Sequence, residues 1–154
     1  NTASITPTTV GLRLDKTSAI LSDPVNGTLN PKAIPGAEIE YRIRVWNEGS
    51  AAIDLDAIVI EDVLPDVDVF VSTSGGPPVQ FIDGSPASGL TYSYASDLGW
   101  TSQPGGGAPY SFSPGAGPWS SAVTGLRINP KGVMAAGSTA SAPSFEIIYR
   151  VRIR

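Results

Sequence analysis

Two stretches of the chain, AEIEYRIRVWN (37–47) and SFEIIYRVRIR (144–154), alternate oily and charged residues with a period of two. That period puts successive side chains on opposite faces of a strand and does not fit a helix, whose faces recur every 3.6 residues. In the first stretch Ile39, Tyr41, Ile43 and Val45 share one face, and Glu38, Glu40, Arg42, Arg44 and Trp46 the other. In the second, Phe145, Ile147, Tyr149, Val151 and Ile153 oppose Glu146, Ile148, Arg150, Arg152 and Arg154. Each reads as a strand with one buried face and one wet face, the usual condition of antiparallel sheets.

Shorter segments carry the same period. VGLRLDKTSAI predicts a strand over about residues 9–20, with Val10, Leu12 and Leu14 on one face. IDLDAIVIED places Ile53, Leu55, Ala57 and Val59 together. DVFVS, PVQFID and GLTYSYA follow, the last with Leu90, Tyr92 and Tyr94 aligned, and AVTGLRINPKG turns Leu126 and Ile128 inward of Arg127. Between them lie turns rich in Gly and Pro, of which the chain has 17 and 14. The expectation is an all-β fold, an antiparallel immunoglobulin-like β-sandwich of seven to eight strands, with a closed barrel as the alternative. Residues 10–154 form one domain, and residues 1–9, NTASITPTT, form an extended polar segment before it. Residues 96–121, SDLGWTSQPGGGAPYSFSPGAGPWSS, read as one long loop, a length that is often functional. A helical turn fits only near Met134–Ala140, where Gly137 opposes it.

Composition narrows the function. With 10 basic and 14 acidic residues the net charge is −4, which does not suit a nucleic-acid binder. No apolar run approaches the roughly 18 residues of a membrane span. The absence of Cys removes disulfides, iron–sulfur clusters and zinc thiolates, and the absence of His removes most nucleophile–base pairs. The start at Asn1, without methionine, leads us to expect a secreted protein whose leader has been removed, a trimmed chain being the alternative.

The segment from Asp23 to Asp66 resembles the secreted repeat domains of the DUF11 family. The likeness is carried by Pro35-Gly36 before an alternating strand, Tyr41 early in that strand, Asn47-Glu48-Gly49 after it, and Asp62-Val63-Leu64-Pro65 at the end of the next. It returns loosely over LRINPKGVMAAGSTASAPSFEIIYRVRIR. The resemblance implies an immunoglobulin-like sandwich on a prokaryotic cell surface and no catalytic residues. The chain has one such unit rather than a tandem array.

Candidate sites are few. Paired carboxylates for hydrolysis would have to come from Glu61-Asp62 or from Asp66 and Asp68, where acids also serve as ordinary turn residues. We expect no enzyme and no cofactor. A structural calcium, which needs several oxygen ligands, would draw on Asp23, Asn26 and Asn30. Asn26-Gly27-Thr28 is a glycosylation sequon. Lys16 shares the inward parity of Leu12 and Leu14, and Asn47 that of Ile39 to Val45. A buried Lys–Asn pair of that kind would permit a self-made isopeptide bond, but no inward Asp or Glu is evident to activate it.

What remains is a structural protein: an extracellular or cell-surface subunit that forms a homopolymer by strand addition between copies. The contact residues would be Ile5, Val10 and Leu12 from the N-terminal segment, and Trp100, Tyr110, Phe112 and Trp119 from the 96–121 loop. The rows Arg150, Arg152, Arg154 and Glu38, Glu40 would supply complementary charge, or remain solvated. The alternative is a secreted adhesin or carbohydrate-binding module that stacks glycans on the loop aromatics.

Overall fold

A computed structural model describes residues 10–64 and 66–154. Two antiparallel sheets face each other across one hydrophobic core. The larger contains β1 (Leu12–Ser22), β2 (Glu38–Asn47), β4 (Val67–Phe70), β5 (Val79–Asp83), β7 (Trp119–Ser120) and β9 (Ser144–Ile153). The smaller contains β3 (Ile60–Val63), β6 (Leu98–Thr101) and β8 (Gly125–Ile128) in the order β3-β8-β6. One helical turn, α1 (Tyr94–Asp97), leads into β6.

The two strongly alternating segments pair with each other. β2 runs antiparallel to β9 in a register that sets Tyr41 opposite Tyr149, Ile43 opposite Ile147 and Val45 opposite Phe145. The oily rows thus meet on the core side, where Tyr41 and Tyr149 stack at 5.4 Å and Phe145 stacks on Phe81 at 5.2 Å. On the wet side the same register sets Glu40 opposite Arg150 and Arg44 opposite Glu146, cross-strand pairs of opposite charge. The far edge of β9 is shared, by β5 along Phe145–Tyr149 and by β4 along Val151–Ile153. The turn ahead of β2 uses the sequence as its residue types require. Ala37 N–H donates to Ile34 O across Pro35-Gly36, and Gly36 has φ 88°, the left-handed value that the third residue of a type II turn needs.

The expected all-β antiparallel sandwich is the fold. Three local expectations are corrected. First, Ile53–Val59 is not a continuous strand. Ile53 bridges to Met134, the chain turns through Asp54–Asp56 with φ 57° at Asp56, and β3 begins only at Ile60. The turn resets the alternation, so Ile53, Ile58 and Ile60 are buried while Leu55 and Val59 are exposed. Second, GLTYSYA is not a strand. Thr91 makes a single bridge to Lys131, Leu90 enters the core, and Tyr94 opens α1. Third, residues 96–121 are not one loop, since β6, a bridge from Phe112 to Trp100, and β7 all lie within them.

Candidate assembly surface

The face with the clearest capacity for a partner lies where β1 and β3 meet. β1 is bonded to β2 on one side, and β3 to β8 on one side; among the described residues neither has a strand on its other edge. Between these edges is a groove of about 160 Å³ lined by Leu12, Leu14, Val45, Ala57, Val59 and Ile60. Val45 and Ile60 at its floor are buried, whereas three of its apolar side chains are not covered: Leu12 is 49% exposed, Leu14 57% and Val59 43%. A space of this size takes one compact apolar group, since an engineered cavity of about 150 Å³ holds a benzene ring. Unpaired edge N–H and C=O groups beside an apolar slot are the two things an added strand uses.

The structure redistributes the expected contact residues. Ile5 lies outside the described residues. Val10 is exposed. Leu12 was expected to belong to the inserting segment, but it sits in β1 opposite Asn47 of its own β2 and lines the groove, so it belongs to the receiving side. Trp100 is corrected from a loop contact to a core residue, only 9% exposed, with Phe112 packed against the same core. Tyr110 is half-buried and its hydroxyl donates to Gly106 O. Trp119 is half-buried edge-on to Phe70 at 5.3 Å, with Arg152 4.8 Å from its ring centre.

The arginine and glutamate rows also find partners at home. Arg42 pairs with Glu40 and Glu146, Arg152 and Arg154 both pair with Asp68, and Arg150 stacks on Phe70. Hydrogen bonds from Arg152, then Arg154, hold the Asp68 carboxyl below the usual carboxylate range. Glu61 is exposed and lies 3.6 Å from Arg127.

The proposed calcium ligands are used in a different way. Asp23 accepts from Val25 N–H and Asn26 N–H on Oδ1, and from Asn26 Nδ2 and Lys32 N–H on Oδ2, at 2.6–2.9 Å. A carboxylate that accepts four N–H donors organises a turn. The Asn26 amide of the sequon is engaged in the same turn, and Asn30 accepts from Lys32 Nζ. The donated bonds, that from the Asn26 side chain foremost, hold the Asp23 carboxyl far below its ordinary pKa. The folded chain therefore favours the ionised form. The resulting stability is complete above about pH 4, the unfolded value, and is lost as pH falls towards the lower folded one. The melting-temperature gap between wild type and Asp23→Asn is expected to be widest near neutral pH and to shrink as pH is lowered from about 5 to about 2. A gap that stays constant over that range would show that the ionised carboxylate is not what holds the turn.

One group of residues was not foreseen. Asp62, on β3, points between the sheets and accepts from Lys16 Nζ at 2.6 Å and from the Tyr149 hydroxyl. Burial, and then this bond to Asp62, raise the Tyr149 pKa. The expected neighbour of Lys16 was Asn47, but Lys16 stands opposite Ile43 and Asn47 opposite Leu12, so the two are well apart along the face. An inward acid is present, supplied as Asp62 by the other sheet.

No family description, curated protein or solved structure matches the chain.

Proposed function

We propose that the chain is a structural subunit of an extracellular or cell-surface homopolymer, built by strand addition. Residues 1–9 of one copy lie along the open β1/β3 edge of the next, with Ile5 in the groove. The observation that carries this reading is the uncovered apolar slot between two strand edges that have no partner among the described residues. Reach is sufficient: nine extended residues span about 30 Å, and the two β1 residues that line the groove, Leu12 and Leu14, lie only about 7 Å apart along the strand. Pro7 tolerates an edge position, where its missing N–H costs no ladder bond. A contact in which one end fills another copy's side does not close on itself and grows as a fibre. The resemblance of residues 23–66 to surface domains supports the same reading.

The test is deletion of Asn1–Thr9 with imaging by negative stain. Wild type is expected to give filaments, and the shortened chain to give none while keeping its β-sheet circular dichroism. Filaments from the shortened chain would rule out the inserted segment. Wild type that elutes as a 15.9 kDa monomer at every concentration would overturn the polymer itself.

A further inference from the structure

The geometry points to a covalent cross-link between the two sheets, an isopeptide bond formed by the chain itself between Lys16 Nζ and Asp62 Cγ. Lys16 leaves the inner face of β1 and meets Asp62 of β3 at 2.6 Å, nitrogen to oxygen. The ammonium sits over the Tyr41 ring at 4.6 Å, and the Tyr149 ring lies 5.8 Å away. The carboxylate keeps 14% of its side-chain surface in water and the lysine 34%. The same Asp62 oxygen also receives the Tyr149 hydroxyl, so one oxygen is addressed by the nucleophile and by a hydroxyl donor together.

The step balances without any outside reagent. The pair is partly withdrawn from water, Asp62 more than Lys16, and desolvation works against the two charges even when they are paired. Passage of one proton from Nζ to Oδ2 leaves a neutral amine against a neutral carboxylic acid. The Nζ lone pair attacks Cγ, the charge builds on Oδ1, and the Tyr149 O–H, bonded to Oδ2, favours the departure of that oxygen. A second proton leaves Nζ for that oxygen, the Cγ–Oδ2 bond breaks, and one water departs. An Nζ–Cγ amide remains, and nothing is oxidised or reduced.

The bond would sit where a fibre needs it. Any pull on residues 1–9 enters the domain through β1, which is joined to the fold by a single ladder to β2. A link from Lys16 to Asp62 carries that pull into the second sheet. The chemistry itself does not depend on polymerisation and is tested on the isolated chain.

Intact-mass measurement of the denatured wild type is expected to fall one water short of the sequence mass, with Lys16→Arg and Asp62→Ala at their full sequence masses. Trypsin is expected to leave Lys16 uncut and to release a branched peptide joining residues 14–32 to residues 45–127. Wild type at its full sequence mass would overturn the proposal, and that result does not depend on whether either variant folds. So would a lost water that persists in Lys16→Arg, which would mark a cyclised Asp83-Gly84 instead.

Discussion

Leu14→Glu is expected to yield a folded chain that no longer polymerises. Leu14 is more than half exposed on β1 and sits at the mouth of the groove. An isolated domain loses little by the change, because the glutamate remains in water and surface substitutions away from special features usually stay within about 0.5 kcal/mol. In the assembled state the same position would be covered by the neighbour's segment. There the leucine contributes about 1.5–3 kcal/mol by burial, and a carboxylate in its place would be desolvated with no cation opposite. The loss exceeds about 3 kcal/mol per contact, more than a hundredfold in affinity. Because a fibre repeats that contact at every joint, the result is close to all or none. Sedimentation separates the outcomes: variant in the supernatant with an unchanged melting temperature supports the groove as acceptor. Pelleting equal to wild type would place the contact elsewhere, even if deletion of residues 1–9 also abolished it.

The sandwich was legible because its two longest strands alternate without interruption, and their oily rows match residue for residue in the observed register. The groove was not legible, for a specific reason. The alternation in IDLDAIVIED continues on paper through Asp54–Asp56, but a left-handed residue at Asp56 restarts it one step out of phase. That single reversal moves Val59 from the expected inner face to the open edge and brings Ile58 and Ile60 inward. The aromatic residues of 96–121 misled in the opposite sense. Glycine and proline around them signal a loop, yet Leu98–Thr101 is a strand that delivers Trp100 to the core. Lys16 was read with the right parity and the wrong partner. Parity fixes which face a side chain takes, whereas its neighbour across the gap depends on how the two sheets are laid over each other, which no local pattern records.

The clearest structural signal in the sequence, the Asn-x-Gly after β2, leads to the largest expected loss of stability. Asn47 is fully buried at the end of β2 and uses its whole amide. Nδ2 donates to Ala51 O at 2.8 Å and to Ala135 O at 2.9 Å, and Oδ1 accepts from Gly49 N–H at 3.0 Å. The first and last of these shape the turn, and the second ties it to the segment that follows β8. Asn47→Ala leaves two carbonyls and one N–H without this partner in a place water does not reach. At about 1–3 kcal/mol for a buried group left unsatisfied, and allowing for partial relaxation, the expected cost is about 3 kcal/mol. For a chain of this length that lowers the melting temperature by about 10 °C. Asn47→Asp separates the two roles of the amide. It keeps an acceptor for Gly49 but sets a carboxylate against two carbonyl oxygens, so it is expected to be at least as damaging as alanine. Thermal unfolding followed by circular dichroism at neutral pH compares the two. An aspartate variant as stable as wild type would mean that the turn alone matters and that the tie to Ala135 contributes nothing.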